Sequence, residues 1–167
     1  MVITTDPGGT GLSEWAIRGI ADGDIENAIP VDRTYFLCGS LVGNNAAPPE
    51  YFKYAHPYTE LSKTPPFQPA DIVNCVGVIG FGKVISCEED LSETNRIRFQ
   101  LLVEHQDFSL CGEAIQTFHV RYRGLRDNLD FEAVSLCEKD AEVFIKGSIT
   151  HRDEVSNIWI VDVLSTT

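Results

Sequence analysis

The sequence predicts a mostly-β protein: a five-stranded barrel with one short helix over residues 71–167, behind an N-terminal extension of residues 1–70. Three observations predict it. Residues 72–85 form a long Val/Ile-rich run broken by Gly77, Gly80 and Gly82, the composition of a strand that bulges or bends sharply in a barrel. Residues 96–103 and 116–123 alternate polar and apolar positions, the period of a half-buried strand. Beyond them come one short helical pattern and two further strand patterns.

In the N-terminal extension, residues 1–11 are rich in Gly, Thr and Pro and read as a disordered start. Residues 13–25 read as a short helix, because Leu12, Trp15, Gly19 and Ile20 roughly share a face, although Gly19 and Gly23 weaken the pattern. Residues 31–42 read as a strand centred on 33–38 and punctuated by Gly39 and Gly43. Residues 44–71 hold Pro48, Pro49, Pro57, Pro65, Pro66 and Pro69 and show no period. They also hold Tyr51, Phe52, Tyr54, Tyr58 and Phe67, more aromatics than a solvated linker carries. This stretch is expected to be an ordered arm packed over the domain; the sharper expectation is a loop that binds a ligand or partner.

In the barrel region, residues 87–95 read as an acidic turn after the first strand. The second strand sends Ile97, Phe99, Leu101 and Val103 to one face and Arg96, Arg98 and Gln100 to the other. The third sends Phe118, Val120 and Tyr122 inward and His119, Arg121 and Arg123 outward, and ends at Gly124. Residues 130–139 read as the helix, with Asp130 as N-cap and Phe131, Val134 and Leu136 apolar. Strands over 142–149 and 158–164, joined by a turn at 151–157, complete the set.

Composition bounds the function. Thirteen Lys and Arg against 25 Asp and Glu give a net charge of −12, which excludes a globally basic nucleic-acid binder but not a local basic face. The five cysteines are odd in number and widely spaced, with no CxxC pair and no zinc-type Cys/His spacing, so no metal or cofactor is expected. No signal-like segment and no run of about 18 apolar residues is present. The expectation is an intracellular protein, nuclear or cytoplasmic, with reduced thiols and no membrane partner.

The order strand, strand, strand, helix, strand, strand is that of the OB-fold, a five-stranded Greek-key barrel. The segment Phe118-His119-Val120-Arg121-Tyr122-Arg123-Gly124, the helix, and Ala141-Glu142-Val143-Phe144-Ile145-Lys146-Gly147-Ser148-Ile149 resemble the single-stranded DNA-binding protein family. The opening strand through Val78-Ile79-Gly80 looks similar, and the hairpin around Trp159 resembles that of the replication protein A subunits. The resemblance spans about 71–167 and leaves residues 1–70 and the acidic balance unexplained. It implies a barrel that binds single-stranded DNA or RNA without catalysis.

The residues suggest how. Arg96, Arg98, Arg121 and Arg123 share the outer face of two neighbouring strands, and four guanidinium groups there repel one another unless an anion accompanies them. That anion is expected to be a phosphodiester backbone or acidic side chains of the arm at residues 44–71. Lys83, Lys146 and Arg152 extend the track, and Phe81, Phe144 and Trp159 are the candidate stacking rings. The rival reading is a protein–protein interaction module on the same barrel, which the acidic total favours, and exposed strand edges can pair two copies into a homo-oligomer. A third reading is an enzyme: Gly80-x-Gly82 followed by Glu104 is similar to the start of a dinucleotide-binding βαβ unit. It suffers from Ile85 at the third glycine position and an acidic segment where the crossover helix belongs. No catalytic residues are assigned; His105 and His151, near Asp107 and Asp153, read as surface turn residues.

Overall fold

A computed structural model describes residues 2–5, 13–21, 35–43, 45, 50–54, 59–60, 76–91, 96–108, 114–126 and 138–166. The strands among them are β1 (Val2–Thr5), β2 (Ser13–Ala21), β3 (Tyr35–Phe36), β4 (Gly39–Val42), β5 (Glu50–Tyr54), β6 (Thr59–Glu60), β7 (Gly77–Leu91), β8 (Ile97–Phe108), β9 (Ile115–Leu125), β10 (Glu142–Arg152) and β11 (Trp159–Thr166). Strands β7, β8 and β9 form an antiparallel meander. Strand β11 lies parallel to β9, and β10 pairs antiparallel with both β11 and β7, closing a barrel. That is the strand order of an OB-fold.

The alternation read from sequence sets the core. Phe99, Leu101 and Val103 of β8 and Phe118, Val120 and Tyr122 of β9 point inward and are buried, joined by Val84, Val143, Ile145, Ile149, Trp159, Val161 and Val163. Burying each such side chain contributes about 1.5–3 kcal/mol, so the strand phase is firmly specified: a one-residue slip would put the whole apolar set in water.

Several expectations are corrected. The segment 87–91, expected as a turn, continues β7 and is paired Cys87 with Leu101 through Leu91 with Ile97. Its acidic side chains stand on an exposed ribbon where the ladder bonds do not depend on apolar burial, and Asp90 sits opposite Arg98. No crossover helix follows Gly80 and Gly82, so this stretch is not a βαβ unit. The bulge in β7 falls between Val84 and Ser86 rather than at the glycines. Residues 13–21, expected as helix, are the strand β2, held between β1 and β5; partner strands on both sides override a weak helical period. Residues 2–5, expected as disordered, supply β1. Of the expected helix, residues 130–137 lie outside the described residues, and the chain bends and turns over 138–140.

The extension builds a four-stranded sheet ordered β1-β2-β5-β4 and a small pair of β3 with β6. Val42, at the end of β4, belongs to the same buried cluster as the barrel core, and Leu41 and Phe52 pack against it. Just beyond, Asn45 reaches β9. The His119 N–H donates to its Oδ1, and its Nδ2 donates to the His119 carbonyl at 2.9 Å and the Asn157 carbonyl at 3.3 Å. The β9–β11 register opens one residue further on, at Val120 with Trp159. One carboxamide thus does for His119 what a neighbouring strand would do.

Candidate nucleic-acid interface

Two surfaces of the barrel carry the residues singled out above. The first is the outer face of β8 and β9. Cross-strand neighbours there are Arg98 with Leu125, Gln100 with Arg123, Leu102 with Arg121 and Glu104 with His119. The arginines do share this face, but the protein brings its own carboxylates to it. Arg123 donates from Nε to Asp162 at 2.5 Å, on the neighbouring β11. Asp153 lies near Arg121, which helps hold its carboxyl below the ordinary range after the larger effect of bonds from Ser156. Asp90 faces Arg98 across the ladder, and Glu104 lies 3.7 Å from His119. Arg96, just ahead of β8, is exposed.

The second surface is the outer face of β7 and β10. Phe81 and Phe144 are directly opposite each other, 62% and 48% exposed. Their neighbours along the strands form two more cross-strand pairs, Ile79 with Lys146 and Lys83 with Glu142. Lys146 is exposed, and Lys83 is held by Asp140 at 2.8 Å. Four of the ten candidates, Phe81, Phe144, Lys83 and Lys146, are thereby brought together. Lys83 pairs with Glu104, and Arg98 lies six residues further along β8. The aromatic pair and the far end of the arginine face are therefore about 20 Å apart or more at ~3.4 Å per residue.

Two candidates are not on the surface. Trp159 is 3% exposed, its position opposite Val120 on the inward phase of β11 placing it in the core. Arg152, at the end of β10 opposite Trp159, is 4% exposed. Neither ring nor guanidinium is available to a nucleic acid in this arrangement. Two side chains were missed: Phe108 and Ile115, cross-strand neighbours at the end of the β8–β9 hairpin, are both exposed. The signal was present, because extending the β8 alternation past Val103 puts Glu104, Gln106 and Phe108 on the outer face.

His105 is also not the surface turn residue expected. It is buried inside the barrel, stacked on Phe118 at 5.4 Å. Its Nδ1 is 2.8 Å from the Phe81 carbonyl and its Nε2 is 3.1 Å from the Tyr122 hydroxyl. A carbonyl only accepts, so Nδ1 carries the proton and Nε2 accepts from Tyr122. Burial pushes the His105 pKa below its ordinary value, outweighing the Phe81 bond, and raises that of Tyr122 well above the ordinary phenol. A Cβ on Gly80 would stand 2.8 Å from His105 Cε1 and one on Gly82 would stand 2.7 Å from Val103 Cγ1. These glycines make room for the pair. Among the described residues no group of three or more His, Cys, Asp or Glu is placed to hold a metal ion, and no helix is long and apolar enough to cross a membrane.

No family model and no curated protein matches the sequence. Solved structures are similar over just over half of the chain. The PriB protein of Ralstonia solanacearum is similar with a TM-score of 0.42 and 5% identity, covering 55% of this chain and 96% of that one. The small single-stranded DNA-binding protein of Streptomyces coelicolor gives a TM-score of 0.43 and 9% identity, over 55% of this chain and 90% of that one. The N-terminal domain of the PriB protein from Thermoanaerobacter tencongensis, a dimeric structure, gives 0.41 and 18%, over 56% and 94%.

Proposed function

We propose that the barrel binds single-stranded nucleic acid, stacking bases on the Phe81–Phe144 pair while Lys83 and Lys146 contact phosphates. The observation that carries this reading is the cross-strand pairing of two exposed phenyl rings with lysines beside them on the same face. An aromatic platform next to cations is what sequence-tolerant single-strand binding requires. Exposed rings also cost solubility, so a face that keeps them fits contact with a ligand better than folding. Arg96, Arg98 and Arg121 extend the phosphate track; Arg123 and Lys83 contribute less, because Asp162 and Asp140 already answer their charge. The protein acts by binding alone, with no catalytic step.

The pairing of Arg123 with Asp162, together with the net charge of −12, favours a second reading: recognition of a protein segment by the same barrel. Titration of labelled oligothymidine at low salt separates the two. The nucleic-acid reading expects micromolar or tighter binding that weakens as salt rises. It also expects Phe81→Ala and Phe144→Ala each to weaken binding by about 1–3 kcal/mol, the worth of one stacked base, with thermal stability little changed. Absence of wild-type binding removes the reading, and unchanged binding by both variants removes the platform.

A further inference from the structure

We infer that His105 is a positioning residue for the exposed Phe81 ring, acting from inside the barrel through the backbone of β7; this rests on the nucleic-acid reading for its consequence but not for its geometry. The register of β7 with β8 stops at Lys83 and Glu104. Phe81, two residues on, is held by β10 on one side and has no partner residue on β8. Its carbonyl takes the Nδ1–H of His105 instead, at 2.8 Å. A side chain of β8 therefore supplies the bond that the β8 backbone does not, at the residue whose ring stands outside.

The device depends on three further features. With the Nδ1–H committed to the Phe81 carbonyl, Nε2 is left to accept from the Tyr122 hydroxyl at 3.1 Å, which anchors the far side of the ring. Phe118 stacks on the imidazole and fixes its plane. Gly80 and Gly82, flanking Phe81, leave the space that the ring and the Tyr122 hydroxyl occupy. A part-buried carbonyl that loses this donor gives up more than the bond itself is worth wherever water cannot replace it, so without His105 the strand is expected to shift at Phe81 to find another partner. The ring, set by the backbone at that residue, moves with it.

Three variants separate positioning from bulk. His105→Asn keeps an N–H near the Nδ1 position, His105→Gln places its amide near Nε2 instead, and His105→Leu keeps neither. Incorporation of 4-fluorophenylalanine gives a ¹⁹F signal for Phe81, assigned by its loss in Phe81→Leu. Long-range ¹H–¹⁵N spectra of the wild type report the His105 tautomer. The expected result is an Nδ1–H tautomer, a Phe81 signal that shifts or broadens in His105→Gln and His105→Leu but stays in His105→Asn, and oligothymidine binding weakened roughly five- to tenfold only in the first two, about the worth of one hydrogen bond. An Nε2–H tautomer, or a Phe81 signal indifferent to all three substitutions, overturns the inference. Absence of wild-type binding overturns the nucleic-acid reading alone, since the fluorine signal still decides the positioning role.

Discussion

Asp162 of β11 and Arg123 of β9 meet at 2.5 Å on the outer wall of the barrel, both side chains about half exposed. A half-exposed pair contributes only about 0–1 kcal/mol to stability. Its larger consequence is electrostatic: a guanidinium that would otherwise project an uncompensated charge is answered locally. Asp162→Asn removes one negative charge and frees that group. Oligothymidine affinity at about 50 mM salt is expected to rise roughly two- to fivefold and the salt slope to steepen by about one phosphate contact. Arg123→Ala is expected to change affinity by less than twofold. Fluorescence anisotropy over a salt series measures both, and a large loss in Arg123→Ala would restore the arginine as a direct phosphate contact.

How far the sequence reveals this molecule depends on what each signal reports. Period-two alternation reports burial, so the inward sets Phe99-Leu101-Val103 and Phe118-Val120-Tyr122 were legible, and with them the outward placement of the arginines. Polarity misleads where a ladder is held in solvent: Glu88, Glu89 and Asp90 look like a turn and are strand. Residues 13–21 carry a helical spacing that two neighbouring strands overrule. Asp162, which answers Arg123, lies 39 residues away on β11, which no local pattern encodes, whereas Asp90, opposite Arg98, is near in sequence but reads as part of a turn. His105 looked like a surface residue because its partners, Phe81 and Tyr122, are likewise remote in sequence.

Asn45 offers a sharp test of the link between extension and barrel. Its backbone has φ of 46°, a left-handed conformation that Gly and Asn tolerate. Asn45→Gly thus removes the carboxamide without adding strain, and is expected to cost about 1–3 kcal/mol because the His119 N–H and carbonyl lose their partner. Asn45→Asp keeps the acceptor for His119 N–H but sets a carboxylate against the carbonyls of His119 and Asn157. It is expected to be worse than Gly at pH 7. Denaturant unfolding ranks the two, and equal stability of Asn45→Asp and wild type would show that the carboxamide donates to neither carbonyl.

Glycines on β7 should respond unequally. A Cβ on Gly82 collides with the Glu104 carbonyl and lies 2.7 Å from Val103 Cγ1, whereas one on Gly77 meets nothing within 4 Å. Backbone cannot yield as a side-chain tip can, so Gly82→Ala is expected to cost about 1–3 kcal/mol. Gly77→Ala is expected to be neutral or to stabilise by up to about 1 kcal/mol by restricting the unfolded chain. Urea midpoints compare them directly, and a neutral Gly82→Ala would mean that β7 and β8 are not in close contact there.

The buried imidazole makes stability depend on pH with a definite sign. Burial lowers the His105 pKa in the folded protein, so below the unfolded value of about 6.5 the unfolded chain binds a proton that the folded chain refuses. The groups facing the ring from β9 are Phe118, stacked on it, and Tyr122, whose hydroxyl would have to turn from donor to acceptor if Nε2 were protonated; His119, on the outer face of the same strand, opposes a second positive charge through space. From β7 the ring meets the neutral Gly80, Phe81 carbonyl and Gly82. Stability is therefore full above about pH 6.5 and falls as pH drops through the window below it, at no more than about 1.4 kcal/mol per pH unit from this group. His151 is also lowered by burial, and Asp153 and Asp140 are lowered by their bonded partners, so they add slopes of their own. Those slopes are common to wild type and His105→Asn, and the difference between the two proteins isolates His105. Urea unfolding at pH 7.5, 6.5, 5.5 and 5.0 should show the wild type losing stability faster than the variant below pH 6.5, and parallel curves would place the titration elsewhere.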